Sequence, residues 1–219
     1  MNLLIIDSQE HDPLLNLAYE EELKKIVSQD QYILRFWIND PALIMGRFQK
    51  EEYEAKLDFL KENNIPLLRR TTGGGTVYHD RGTLNVSFCK PKNPLLEVGQ
   101  KDSTTIVHWI AHALNQLGLN AKQDERNALF IENKKILGSA VSLTGEILLF
   151  HCSILIETDL NKLNGAINWS PSYQGNGTNE NFVKSHRSPV IKLNEIDPRF
   201  TVSFIKEAIQ KTITSEIQR

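Results

Sequence analysis

The chain has 219 residues, 40% of them hydrophobic, and its 25 basic and 27 acidic side chains leave a formal net charge of −2. That length supports one substantial core and predicts a single domain over residues 1–219. The near-neutral charge lacks the cationic footprint that a polymeric nucleic-acid partner needs. No run of roughly 18 apolar residues exists, and the apolar start Leu3-Leu4-Ile5-Ile6 has no basic lead, so the expectation is a cytoplasmic protein with no membrane partner.

Asp12-Pro13 ahead of Leu14, Leu15, Leu17, Ala18 and Leu23 predicts a first helix capped by acid and proline, with apolar side chains on one side. From Gln31 to Ile38 the pattern alternates, with Tyr32, Leu34, Phe36 and Ile38 on one face of a strand. Ala42 to Met45 reads as the returning strand after the turn Asn39-Asp40-Pro41, and Glu51 to Asn63 as a charged surface helix. Ile65 to Leu68 begins another strand, Thr71 to Thr76 is a glycine-rich loop, and Leu84, Val86 and Phe88 alternate beyond it.

Lys101 to Leu117 is the clearest helix, with an apolar stripe of Ile106, Trp109, Ile110, Ala113, Leu114 and Leu117 and a stop at Gly118. Three antiparallel strands follow, Leu129 to Ile131, Lys135 to Leu143 and Ile147 to Glu157, joined by turns at Glu132-Asn133-Lys134 and Thr144-Gly145. Asn161 to Lys192 is irregular, and Thr201 to Ile217 forms a last helix. Hairpins with helices before, between and after them predict an α+β fold with a mixed, largely antiparallel sheet flanked by helices.

The informative stretch is Arg69-Arg70-Thr71-Thr72-Gly73-Gly74-Gly75-Thr76-Val77-Tyr78-His79-Asp80. Three successive glycines are poor filler for a strand or helix and suit close backbone approach to a bound group. By itself the triplet could equally be a tight turn. With Arg70 before it as a guanidinium fork for phosphate or carboxylate, anion binding is the better reading. There is no Gly-x4-Gly-Lys-Ser/Thr and no Gly-x-Gly-x-x-Gly, so P-loop and dinucleotide-binding readings lack their parts. The histidines are scattered without metal-ligand spacing; His108 and His112, four apart, read as the solvent side of the long helix, and the metal ligands stay unknown. Cys89 and Cys152 sit in apolar strand runs and read as buried, reduced packing residues. The Asn-x-Ser/Thr triplets at Asn85, Asn168 and Asn176 read as chance matches.

This loop, with Gly82-Thr83-Leu84-Asn85-Val86-Ser87-Phe88 after it, resembles the signature of the lipoate-protein ligase A family, within the superfamily of lipoate ligase, octanoyltransferase and biotin ligase catalytic domains. The resemblance covers nearly the whole chain. It includes Asn16-Leu17-Ala18 with Glu20-Glu21, Ile44-Met45-Gly46-Arg47-Phe48-Gln49, Arg126-Asn127-Ala128-Leu129, Lys134-Lys135-Ile136-Leu137-Gly138-Ser139-Ala140, His151-Cys152-Ser153 and Lys184-Ser185-His186-Arg187-Ser188.

The resemblance implies a class II biotin/lipoate ligase-like catalytic domain without the accessory C-terminal domain that many ligases carry. It implies ATP-dependent activation of lipoate to lipoyl-AMP, assisted by Mg2+, and transfer of the lipoyl group to a lysine of a lipoyl domain. The acceptor would be an E2 subunit of a 2-oxoacid dehydrogenase, a glycine-cleavage H protein or a related carrier, and a separate small ligase subunit could take part. The implied catalytic residue is Lys135, which as a cation between two anionic reactants lowers their repulsion. Arg70, Gly73, Gly74, Gly75, Thr76, Val77, Tyr78 and Lys135 are implied to hold the nucleotide. Arg70, Thr72, His79, Lys135, Gly138, Ala140 and His151 are implied to hold the lipoyl group. The octanoyltransferase relatives use a cysteine in the loop after the strand of His151, which here reads Ala166-Ile167-Asn168-Trp169-Ser170-Pro171-Ser172-Tyr173 and has none. Acyl transfer from a preformed acyl-AMP or a carrier thioester, or non-catalytic lipoate binding, are the alternatives to the ligase reading. Thr72 and Thr76 stand where the family more often has Ser and Ala, and Cys152 where it has Gly.

Overall fold

The computed structural model describes residues 2–92, 100–168 and 182–218. The chain runs β1 (Asn2–Asp7), α1 (Pro13–Ile26), β2 (Gln31–Trp37), β3 (Ala42–Met45), α2 (Glu51–Glu54), α3 (Leu57–Glu62), β4 (Leu67–Arg69), β5 (Val77–His79) and β6 (Thr83–Pro91). It continues through α4 (Gln100–Gln116), β7 (Lys122–Gln123), β8 (Leu129–Ile131), β9 (Lys134–Thr144), β10 (Ile147–Leu155), α5 (Leu160–Ala166), α6 (Leu193–Ile196) and α7 (Val202–Gln218). Seven strands form one sheet in the order β1-β2-β6-β10-β9-β8-β7, and β4-β3-β5 form a second. Among the strands of the described residues only the β1–β2 and β3–β4 pairs are parallel, so the architecture is α+β with a mixed, largely antiparallel sheet, as expected.

Strand periodicity divides the large sheet into two unlike faces. Leu34 and Phe36 of β2, Leu84, Val86 and Phe88 of β6, and Phe150, Cys152 and Ile154 of β10 face α4 and α7 and form the main core with Ile110, Leu114, Ile205 and Ile209. The expected stripe of α4 is therefore the buried one, and Gly118 ends it at φ +88°. The opposite face is arranged in rows across three strands. Ile33, Cys89 and Leu149 form an apolar row with Leu23 of α1 over it. Next come Arg35, Ser87 and His151, and then Trp37, Asn85 and Ser153. Both polar rows are carried by strands buried on the two faces.

Those rows explain which side of the first helix is buried. α1 buries Pro13, Asn16, Glu20 and Leu23, and leaves Leu14 62% and Leu15 44% exposed. It turns its polar side inward because Arg35, 2% exposed, needs acceptors: its guanidinium donates to the Asn16 carbonyl at 3.1 Å and to Asn16 Oδ1. An uncompensated buried cation would cost far more than exposing two leucines. Asp12 caps the helix as expected, accepting from the amides of Leu14 and Leu15 at 2.8 and 3.0 Å.

Two expectations are corrected. β3 does not return beside β2; it joins the second sheet between β4 and β5. The helix expected from Glu51 to Asn63 is broken at Ala55-Lys56, where Ala55 bridges Ile167 and the Lys56 amide donates to the Ala166 carbonyl at 2.9 Å. That break lets Glu54 turn inward to full burial. β1, an edge strand, and α5, capped by Asp159, were not anticipated. Among the described residues no helix is long and apolar enough to cross a membrane. Residues 169–173 of the cysteine-free loop and the triplet at Asn176 lie outside the described residues.

Candidate active site

A cavity of about 690 Å3 lies over the polar rows, roofed by the glycine loop and by residues 182–190. Its order begins with Arg70, which leaves β4 with only 7% of its surface exposed. The Arg70 guanidinium donates from Nε to Thr72 Oγ1 at 2.9 Å, from one terminal nitrogen to the Ile44 carbonyl at 3.2 Å, and from the other to the carbonyls of Gly73 and Gly75 at 2.7 Å each. Four of its five N–H groups are thus spent on the protein, and the cation acts as the internal template of the loop. Burial lowers its pKa to about 10, against the pull of Glu20, so it stays charged at neutral pH.

Two glycines in this region are sterically required. Gly74 sits at φ +88°, and a Cβ on Gly46 would stand 2.1 Å from the Gly74 carbonyl oxygen. The Thr76 amide is met by Ser185 Oγ at 2.8 Å. Ser185 is itself fixed by Gln49 and by the buried Glu54, which also takes Arg187 at 2.6 Å.

The floor is a connected polar network. Both carboxylate oxygens of Glu20 lie 3.0 Å from His151 Nδ1, and Ser87 donates to Glu20 at 2.6 Å while accepting from the Trp37 indole at 2.7 Å. His151 Nε2 lies 3.0 Å from Thr72 Oγ1. Burial works against ionising Glu20, but the charge and hydrogen bond of His151, the Ser87 hydroxyl and Arg35 outweigh it and hold the carboxyl below the usual range. His79 is neutral: burial, with Arg70 and His151 nearby, pulls its pKa down to about 3.

At the other end stands Lys135. The turn before it places Glu132 and Asn133 at φ 49° and 65°, a tight hairpin turn that starts β9 with Lys134 and Lys135. The Lys135 amide donates to the Pro189 carbonyl at 2.7 Å and its carbonyl accepts from Ile191 at 3.2 Å, so its backbone is stitched to the roof. The side chain folds over Gly138, where an added Cβ would lie 3.2 Å from Nζ. Burial lowers its pKa from the ordinary lysine value, Asp124 opposes that shift, and Arg126 adds to it.

Of the residues singled out from the sequence, Arg70, Gly74, Gly75, Thr76, Val77 and Tyr78 line the cavity. So do His79, Lys135, Gly138, Ala140 and His151. Thr72 sits behind the wall, joining Arg70 to His151, and Gly73 contributes its carbonyl to Arg70 without reaching the lining. Glu20, Trp37, Asn85, Ser153 and Asp124 also line the cavity and were missed as site residues. Their signal was available in part: Arg35, Asn85, Ser87, His151 and Ser153 interrupt apolar strands at a spacing of two. Cys152 points to the core, where burial raises its thiol pKa, and Cys89 is buried beneath α1; both are free thiols, as expected.

An α+β sheet with a glycine loop closing a deep cavity over its polar face is the arrangement of a ligand-binding domain class. The chain belongs to the lipoyl protein ligase A/B catalytic domain family, which it matches over residues 12–214. Lipoate–protein ligase 1 of Staphylococcus aureus is 34% identical over 94% of the chain and 61% of its own length. A crystal structure of a lipoate-protein ligase A bound with ATP superposes with a TM-score of 0.83 at 26% identity, covering 99% of the chain and 85% of that protein. The bi-partite lipoate protein ligase of Thermoplasma acidophilum, described with its E2 lipoyl domain, superposes at 0.80 with 28% identity over 99% of the chain and 83% of that protein. The chain spans about three-fifths of the length of the curated relatives it matches.

Proposed function

We propose that the protein is a lipoate-protein ligase. A lipoate carboxylate oxygen attacks the α-phosphorus of ATP, the bond to the β-phosphate oxygen breaks, and pyrophosphate leaves. The amine of an acceptor lysine then attacks the acyl carbon of lipoyl-AMP, AMP departs, and the lysine proton is lost as the amide forms. The observation that carries this reading is Lys135, a half-buried cation over Gly138, in the same cavity as a glycine loop held open by Arg70. An ammonium there offsets the repulsion between carboxylate and phosphate and stabilises the charge that grows in the transition state. A relative is described with bound ATP, which supports ATP as the activating nucleotide.

Among the described residues no cluster of three His, Cys, Asp or Glu side chains could cage a metal. Mg2+ is held largely by phosphates and water with one or two carboxylates, so it would arrive with the nucleotide. Asp124 on the same wall is the carboxylate offered to it, and the ion would supply charge neutralisation on the phosphates. The acceptor is proposed to be a lipoyl domain, of an E2 subunit as the Thermoplasma relative suggests, or a glycine-cleavage H protein. The same relative, described as bi-partite, makes a second small subunit part of the proposal, and the site of action is proposed to be the cytoplasm. Transfer through a protein thioester is disfavoured, because the Cys152 thiol lies in the core with its ionisation suppressed.

The test is incubation of the protein with ATP, lipoate and a lipoyl domain. Pyrophosphate release and a lipoyl mass on the acceptor are expected, and Lys135→Ala should abolish both while its melting transition is kept. Pyrophosphate release by that variant at near wild-type rate would overturn the assignment.

A further inference from the structure

The buried hydrogen bonds around His79 form a chain whose direction is set at one end. Arg35 can only donate, so it fixes the oxygen of the Asn16 amide, and Asn16 Nδ2 then donates to Asn39 Oδ1 at 2.8 Å. The Asn39 Nδ2 group donates to His79 Nδ1 at 3.0 Å, which leaves the ring proton on Nε2, directed at Ser153 Oγ 2.8 Å away. The Ser153 hydroxyl donates in turn to Asn85 Oδ1 at 2.7 Å. As far as Ser153 no link can be reversed, because each acceptor is already committed. The neutral state of His79 agrees with this assignment.

The chain ends on a donor. Asn85 is fully buried and lines the cavity, and its Nδ2 has no hydrogen-bond partner among the described residues. A buried donor left unmade is costly, so such a group points to an acceptor that arrives with a ligand.

The position of Asn85 says which part of the ligand supplies it. Asn85, Ser153 and Gly138 lie in one row across β6, β10 and β9, and Lys135 Nζ overhangs Gly138. Two strand spacings separate the ends of that row, about 10 Å. A lipoate whose carboxylate meets Lys135 and whose arm crosses the sheet reaches Asn85 with its dithiolane ring, beside Trp37 in the neighbouring strand. We propose that Asn85 Nδ2 donates to a dithiolane sulfur and makes this site prefer a sulfur-bearing acyl chain to plain octanoate. The inference rests on the ligase reading for the orientation of the acid. Octanoate offers no acceptor at that point, so its binding leaves the amide unpaired, the situation in which buried polar groups discriminate most strongly.

The test is equilibrium binding of lipoate and octanoate, without nucleotide, to the wild-type chain and to Asn85→Leu, which keeps the approximate shape and removes the donor. Wild-type protein should bind lipoate roughly threefold to tenfold more tightly than octanoate, the range of one hydrogen bond. In the variant the ratio should fall toward one, mainly through weaker lipoate binding. The hydroxyl of Ser153 loses its acceptor with both ligands, so that loss cancels in the ratio. Should Asn85→Leu lose its melting transition, Asn85→Ala takes its place in the same measurement. Equal affinities in the wild type, or an unchanged ratio in the variant, would overturn the proposal. Pyrophosphate exchange run in parallel reads the ligase function separately: its absence with a preserved binding preference would defeat the ligase reading and leave the role of Asn85 standing.

Discussion

Glu20, on the first helix, holds His151, on β10, the last strand of the hairpin series, with both carboxylate oxygens 3.0 Å from Nδ1. The far ring nitrogen is thereby aimed at Thr72, whose hydroxyl accepts a hydrogen bond from Arg70 Nε. A carboxylate on one side of the cavity and a guanidinium on the other are joined through one imidazole and one hydroxyl, so floor and roof are ordered together.

Replacing Glu20 by Gln should destabilise the protein by about 1–3 kcal/mol at pH 7, the cost of leaving buried partners of a charged group poorly met. The sign with pH follows from the lowered carboxyl pKa. Its stabilisation is fully present above the unfolded-state value and is lost as pH falls through the lower folded-state value. Urea midpoints of the two proteins should therefore converge toward acid. A gap that stays constant from pH 7 to pH 3 would contradict the assignment.

Gly46→Ala should disable the glycine loop, because the new methyl group would meet the Gly74 carbonyl at 2.1 Å and the Arg70 guanidinium at 3.3 Å. Relief requires moving backbone that Arg70 holds by two carbonyls. The expected result is a loss of nucleotide binding of at least tenfold, with stability lowered by about 1–3 kcal/mol as for other overpacked sites. Calorimetric titration with ATP beside a thermal melt measures both.

Lys135 must carry its proton to bridge carboxylate and phosphate, and burial lowers its pKa. Adenylate formation should therefore decline with rising pH below the ordinary lysine value. In Lys135→Arg the charge persists throughout, so that basic limb should vanish, whatever activity remains. Pyrophosphate-exchange rates from pH 7 to 10.5 decide it; a wild-type rate that is flat across this range would count against the role of Lys135.

Glu54 has no route to the ligand, yet it holds Ser185 and Arg187 and through them the roof segment. Glu54→Gln should raise amide hydrogen exchange across residues 182–190 and weaken ATP binding, while exchange in β6 and β10 stays as in the wild type. Exchange raised equally over the whole sheet would mean that Glu54 serves general stability.

Much of this was legible in the order of residues. The spacing of two in β2, β6 and β10 and the stripe of α4 follow from local geometry, and so do the glycine loop and the turn that presents Lys135. Each depends on what a short segment can do with its own backbone and on which side chains avoid water. The family resemblance pointed at most residues of the cavity wall for the same reason, since its motifs are contiguous.

What only the tertiary structure decided is the partnership of distant polar groups. The leucines of α1 show in the sequence, but which side of the helix is buried does not: it turns Asn16 and Glu20 to the sheet because Arg35, Ser87 and His151 await it there. Glu54 read as part of a solvated helix until a segment about 130 residues later supplied Ser185 and Arg187. Arg70 read as a ligand-binding fork, and its N–H groups proved to be claimed largely by the loop that follows it. Hydrophobic burial is non-directional and leaves its mark as a period along the chain. A buried hydrogen bond depends on which particular donor meets which acceptor across the fold, and no local pattern encodes that pairing.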